Sequence, residues 1–216
     1  MPLLFTDPRY LNHLTGSHPE CPERLERILT MLDETGLRDR FDQPTFNPAD
    51  EKQIARVHDP DYLRELDRFA EQGGGRMDAD TVVSPESYQI AKLACGAGIA
   101  AVDALLTKGQ NRAACLVRPP GHHALADRAM GFCLFNNIAV AAAHAVEQHG
   151  LSRILIVDWD VHHGNGTQDL FYRNENVFFL SVHRHPFYPG TGHIDETGTG
   201  PGLGKTANLP IRFGTS

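Results

Sequence analysis

The chain has 216 residues, which is enough for one sizeable domain and short for two. Hydrophobic residues make up 41% and charged residues 22%, as in an ordinary globular protein, and the formal net charge is −7. This acidic balance, without a run of Lys and Arg, argues against a protein that binds nucleic acid directly, and we expect no apolar segment long enough to span a membrane.

The four cysteines are widely spaced and form no C-x-x-C pair, so the sequence suggests neither a zinc knuckle nor a redox motif. The first residues turn polar too soon for a signal peptide. Together these features predict a reduced, cytoplasmic protein.

The first half of the chain is predicted to be mainly helical. A short strand covers residues 3–5, and an amphipathic helix with leucines at helical spacing is stopped by Gly36. Two further helices are expected where a capping residue precedes proline, one from Asp59-Pro60 and a long Ala-rich one from Ser84-Pro85 to Gly109.

The second half predicts alternating strands and helices. Residues 113–117, 154–157 and 177–182 are short apolar runs typical of buried strands, and an Ala-rich helix over 136–149 lies between the first two. The tail from Pro186 is expected to be loop with one short strand. The pattern predicts a single α/β domain over residues 1–216, with helices packed on the faces of a mainly parallel sheet.

The most informative segment follows the strand at 154–157 and reads Asp-Trp-Asp-Val-His-His-Gly-Asn-Gly. Side chains alternate faces along a strand, so Asp158, Asp160 and His162 would point the same way if the strand continued. Carboxylate and imidazole ligands suit Zn²⁺ and related ions. The alternative is that these residues only cap a neighbouring helix.

A second polar segment, Arg-Pro-Pro-Gly-His-His, carries His122 and His123 just beyond another predicted strand. Imidazole suits acid–base chemistry near neutral pH. The alternative is that these two adjacent histidines are exposed loop residues without a catalytic role. A third segment, from His18 to Arg24, has no metal-like spacing, and its own residues indicate a proline-punctuated turn into a helix.

Taken together, the motifs resemble the arginase/deacetylase superfold, specifically class II-like histone deacetylases and bacterial acetylpolyamine amidohydrolases. The matching stretches are G-S-H-P-E-C-P-E-R, R-V-H-D-P-D-Y-L, V-R-P-P-G-H-H-A, M-G-F-C-L-F-N-N, D-W-D-V-H-H-G-N-G-T-Q and F-Y-P-G-T-G, in family order. The resemblance implies a three-layer α/β/α domain whose C-terminal third is missing here.

The resemblance also implies roles for the polar residues. Asp160 and His162 would be two of three Zn²⁺ ligands, His123 the general base, His122 its charged neighbour, and Asp158 the carboxylate that orients His122. A structural K⁺ would be held by residues on the same strand ends, namely Asp158, Asp160, His162, Ser181 and Val182. Three residues would line the substrate path, namely Phe132, Arg24 and Asp80.

The implied reaction is hydrolysis of an acetyl amide, in acetyl-lysine or an acetylpolyamine. Class I enzymes carry Asp where this chain has Asn165, and a neutral partner stabilises an imidazolium less, which favours His123 as a base. The family's third metal carboxylate and its oxyanion-stabilising Tyr or His lie beyond the matching segment, so we expect these 216 residues alone to be a poor or inactive deacetylase.

Two alternatives remain open at this stage. The chain could be a truncated homologue that acts as a metal-binding or oligomeric scaffold, or part of an enzyme completed by a second copy or a complementing chain. A ureohydrolase of the arginase type is disfavoured because that family needs more aspartates for a dinuclear centre.

Overall fold

The structure is a computed structural model that describes residues 1–215. The α-helices are α1 (Pro22–Glu34), α2 (Glu51–Ile54), α3 (Pro60–Glu71), α4 (Ser87–Thr107), α5 (Asn137–His149) and α6 (Asn165–Phe171). The strands are β1 (Leu3–Phe5), β2 (Gly75–Arg76), β3 (Val82–Val83), β4 (Ala113–Cys115), β5 (Ile154–Asp158), β6 (Val177–Arg184) and β7 (Thr206–Ile211).

The main strands run parallel, as the βαβ pattern predicts. Strand β1 pairs with β4, and β5, β6 and β7 form a second parallel ladder in that order. Within residues 1–215, β4 and β5 are not paired with each other, and the outward-facing side chains of β5 are exposed, with Leu155 at 61%. The α/β prediction is confirmed, with the parallel strands in two ladders.

Apolar side chains of the helices pack against the strands of each ladder to form the core. Helix α4 packs on β1 and β4 through residues such as Ala97 and Ala101. Helix α5 packs on β5 and β6, where Ala139 and Ala142 meet Ile156. The small residues of α4 and α5 let the two helices approach each other closely, and these helices therefore fix the strands that carry the polar motifs.

The expectation that no segment could span a membrane needs a correction at α4. This helix has 21 residues and is apolar enough, by length and composition, to cross a bilayer. Its apolar character has another explanation in the fold, because most of its residues are buried against α5, β1 and β4, as in the core helix of a globular domain.

The start of α4 also differs from the prediction. The helix begins at Ser87, and Ser84-Pro85 forms a turn before it. The Ser87 hydroxyl accepts a hydrogen bond from the Ser84 amide at 2.7 Å, which ties the turn to the first helical residue. By contrast, the predicted cap at Asp59 is present, since its carboxylate accepts from the Asp61 amide at 2.8 Å.

Candidate functional site

The acidic motif lies at the carboxyl end of β5, where the strand stops at Asp158. The chain then bends, so the alternation assumed for Asp158, Asp160 and His162 does not continue as a strand. Asp158 accepts the Asp160 amide at 3.1 Å, and Asp160 accepts the His162 amide at 2.8 Å. These side-chain-to-backbone bonds, rather than a strand pleat, hold the three residues together.

Asp160 and His162 present two ligand atoms to the same space. Asp160 Oδ1 and His162 Nδ1 lie 3.0 Å apart, and both side chains are partly exposed. A carboxylate oxygen and an imidazole nitrogen so close together fit two positions in the ligand shell of Zn²⁺. Within residues 1–215, no third His, Cys, Asp or Glu joins this pair closely enough to complete a triad.

His122 and His123 lie side by side on the loop after β4, with ring centroids 4.0 Å apart. His122 Nδ1 donates to Asp158 Oδ2 at 2.9 Å, which fixes the ring and leaves Nε2 free to face the cavity. Gly164 is required beside this bond, because a Cβ there would lie 2.2 Å from Asp158 Oδ2.

His123 is more deeply buried than His122, at 3% exposed, and its Nδ1 bonds to Asn165 Oδ1 at 2.7 Å. Burial, and secondarily the neighbouring His122, lowers the pKa of His123 to about 4. The ring is therefore neutral near pH 7, and the Asn165 bond places the proton on Nδ1. The remaining nitrogen, Nε2, is free to accept a proton.

The paired histidines and the Asp160–His162 pair line one cavity of about 390 Å³. Phe132 forms part of its wall, with backbone φ of 72°, a conformation that is uncommon for a bulky residue. Gly131 precedes it, and a Cβ there would lie 2.4 Å from the His123 ring. The turn therefore places Gly131 against the His123 ring and Phe132 in the cavity wall, with local backbone strain at Phe132.

Two other predicted path residues also lie at this cavity. Arg24 is on α1 and largely exposed, while Asp80 is partly buried next to Thr81. Burial and the nearby Asp78 carboxyl raise the pKa of Asp80. The roles suggested for these residues stay predictions.

The residues predicted to hold a monovalent cation are neighbours on adjacent strands. Asp158 on β5 pairs in register with Ser181 on β6, and Val182 follows Ser181. Ser181 is fully buried, and its hydroxyl is hydrogen bonded to His183 at 2.9 Å. The β5–β6 pairing thus brings Asp158, Ser181 and Val182 together next to the bend that carries Asp160 and His162.

Sequence reasoning missed several residues that shape the site. Tyr188 lines the cavity with its ring 5.2 Å from that of His123, and Phe187 stacks on His162 at 5.0 Å. His18 packs edge-on against Phe132 at 4.6 Å. The aromatic pair in F-Y-P-G-T-G was a usable signal for Tyr188, whereas nothing local to His18 predicts its contact with Phe132.

Comparison with known proteins shows similarity to one family over most of the chain. The model of the histone deacetylase domain matches residues 18–216. The chain is 43% identical over 197 residues to the histone deacetylase-like amidohydrolase of Pseudomonas aeruginosa, covering 91% of this chain and 52% of that protein. It is 41% identical to the polyamine deacetylase HDAC10 of Homo sapiens, covering 96% of this chain and 33% of that protein.

A solved structure agrees with these sequence matches. The HD domain of HDA15 superposes with a TM-score of 0.92 at 38% identity, covering 97% of this chain and 62% of that chain. The chain thus spans about half the length of curated relatives such as the Pseudomonas protein, of which it covers 52%.

Proposed function

Because the chain belongs to the histone deacetylase family, we propose that it carries the metal-and-histidine part of a zinc-dependent deacetylase site. The reaction would be hydrolysis of an acetyl amide in acetyl-lysine or an acetylpolyamine. One observation carries the proposal: His122, His123, Asp160 and His162 line the same cavity.

Asp160 and His162 would hold Zn²⁺ through the Oδ1 and Nδ1 atoms that lie 3.0 Å apart. A bound Zn²⁺ supplies Lewis acidity and a water molecule of lowered pKa. The partial exposure of both side chains leaves them accessible to an ion from solvent.

His123 would act as the general base. Its neutral ring takes a proton from the water that attacks the acetyl carbonyl, and the C–N bond breaks as that proton passes to the amine nitrogen. The products are acetate and a free amine. His122, held by Asp158 at 2.9 Å, would remain positively charged and polarise the site.

The cavity walls indicate how the substrate would lie. Phe132 and Tyr188 would enclose the apolar part of the acyl-amine chain. Asp80 at the rim would attract the positive charge of a polyamine or peptide, and Arg24 would meet the acetate product. We also propose that K⁺ binds as a structural ion at these strand ends. It would be held by Asp158, Asp160, His162, Ser181 and Val182.

The cellular setting belongs to the same proposal. The four cysteines are free thiols, which suits a reducing compartment such as the cytoplasm.

The exposed outer side of β5, including Leu155 and Val157, would be covered by further strands, by a second copy or by a complementing chain.

A substrate panel tests the reaction class. The zinc-loaded protein is incubated with N-acetylputrescine, an acetyl-lysine peptide and arginine, and acetate and urea are quantified by NMR. We expect slow release of acetate from an acetylated amine, because only two protein ligands are placed together at this site within residues 1–215, and no urea from arginine. Urea production would favour the ureohydrolase alternative, and failure to produce acetate would favour a metal-binding scaffold.

A further inference from the structure

A second group of metal-ligating side chains lies away from the cavity, between the ends of α4 and α5. His144 Nε2 and His149 Nε2 are each 2.7 Å from Asp103 Oδ1. The ligand atoms of all three residues lie within 4.8 Å of one another. Among residues 1–215, this is the group of three His, Cys, Asp or Glu side chains close enough to share a metal ion. None of these residues lines the cavity that holds His122 and His123.

The surroundings favour a positive charge at this position. Asp103 lies in the last turns of α4, which ends at Thr107, and His149 is the final residue of α5. Helix C-termini carry partial negative charge, so both helix ends stabilise a cation between them. The Asp103 side chain is 45% exposed and the His144 side chain is 7% exposed. The group is therefore open to solvent at Asp103 and buried at His144.

We propose that Asp103, His144 and His149 form a second site for a divalent transition-metal ion such as Zn²⁺. Two imidazole nitrogens and one carboxylate oxygen are a common zinc ligand set, and water would take the open position. An ion here would join α4 to α5, the two helices that pack on the parallel ladders.

Arg56 opposes metal binding at this site. Its Nη1 donates to His144 Nδ1 at 2.8 Å, so the His144 proton lies on Nε2 and points at Asp103. A metal ion needs the lone pair of Nε2, so the proton must move to Nδ1 and the guanidinium must leave. Arg56 is paired with Glu147 at 2.9 Å, and both line a cavity of about 590 Å³ that gives the guanidinium room to move.

This competition makes a prediction that a purely structural hydrogen-bond cluster does not make. Arg56→Met removes a positive charge and the donor to His144 while keeping a similar apolar length, so it should tighten metal binding by about tenfold. His149→Ala and Asp103→Asn each remove one ligand and should weaken binding by about 10–100-fold or more.

The test is Zn²⁺ equilibrium dialysis with metal analysis, supported by Co²⁺ absorption spectra, on the wild type and these variants. Asp39→Asn, at an exposed aspartate, serves as the matched control for Asp103→Asn. Asp160→Ala separates the two sites, because it should leave the Asp103 equivalent in place. Circular dichroism checks that each variant is folded.

We expect His149→Ala to bind one Zn²⁺ equivalent fewer than the wild type and the Asp39→Asn control to bind the same number. Arg56→Met should shift the Co²⁺ titration to lower concentration. Equal stoichiometry in the wild type, His149→Ala and Asp103→Asn would overturn the proposal, and so would an unchanged affinity in Arg56→Met.

Discussion

Arg118 and Glu20 form a fully buried ion pair that joins the N-terminal segment to the loop of the paired histidines. Arg118 Nε and Nη2 donate to the two Glu20 oxygens at 2.6 and 2.7 Å, and the two side chains are 4% and 1% exposed. Arg118 also donates to the carbonyls of Tyr10 and His13. The Arg118 guanidinium therefore fixes the N-terminal segment at Tyr10, His13 and Glu20. Glu20 belongs to the third polar segment, whose own sequence indicated only a turn into a helix.

Breaking this pair should destabilise the protein strongly. Arg118→Met leaves the Glu20 carboxylate buried without its partner, which typically costs about 3–5 kcal/mol of unfolding free energy. Arg128 pairs with Asp127 at the surface, where both side chains are 63% exposed, so Arg128→Met is the matched control and should cost less than about 1 kcal/mol. Urea denaturation measures both. A loss for Arg118→Met no larger than for the control would contradict the role assigned to the pair.

Asp158→Ala should be more destabilising than Asp80→Ala. Asp158 is 12% exposed and accepts from His122 and from the Asp160 amide, so its removal leaves the partly buried His122 donor unpaired at about 1–3 kcal/mol. Asp80 is partly buried and lies beside Asp78. Because these two carboxyls repel each other, Asp80→Ala should change stability by less than about 0.5 kcal/mol. Equal melting temperatures for the two variants would contradict the structural role assigned to the Asp158 carboxylate.

At the candidate active site, the metal content of variants should distinguish the metal ligands from the general base. Asp160→Ala and His162→Ala each remove one atom of the 3.0 Å ligand pair and should lose one Zn²⁺ equivalent. His123→Ala should keep that equivalent, because its Nδ1 bonds to Asn165 and not to either ligand. Elemental analysis after dialysis decides between these outcomes. Full zinc content in His162→Ala would show that the ligand assignment is wrong.

Stability should fall as the pH drops from about 6.5 to about 4. Burial lowers the pKa of His58 to about 4, although the hydrogen bond from its Nδ1 to the Leu125 carbonyl acts in the opposite direction. The unfolded state then binds more protons in this window, so each pH unit costs about 1.4 kcal/mol per such histidine.

The matched variant is His58→Gln, whose side chain can donate and accept but does not titrate in this window. Its urea midpoint should depend less steeply on pH between 4 and 6.5 than that of the wild type. The same slope in both proteins would rule out His58 as a source of the pH dependence.

Local signals in the sequence were sufficient for most of the fold. The helix cap at Asp59, the Ala-rich run over 136–149 and the apolar run over 154–157 each predicted an element to within a few residues. Helix α6 was missed because its residues, from Asn165 to Phe171, include the glycine-rich end of the metal motif and lack helical periodicity. The exact start of α4 was missed because a serine-to-serine bond decides it.

The candidate site shows a similar limit. Residue types and their resemblance to the family predicted the paired histidines and the carboxylate that His122 contacts. Long-range contacts were not visible, because Glu20 and Arg118 are 98 residues apart in the sequence. The Asp103, His144 and His149 group was missed for the same reason, since α4 and α5 must pack before these side chains meet.

The most direct test of the central claim is acetate release by the zinc-loaded protein under single-turnover conditions, compared between the wild type and His123→Asn. Asn keeps a polar side chain in place of the buried ring but cannot act as a base near pH 7, and His193→Asn, at an exposed histidine, serves as the control. We predict slow acetate release by the wild type and the control, because within residues 1–215 only Asp160 and His162 are placed to hold the metal ion at this site, and release by His123→Asn that is slower by at least about 10²-fold. Equal, measurable rates of acetate release in the wild type and His123→Asn would contradict this role of His123.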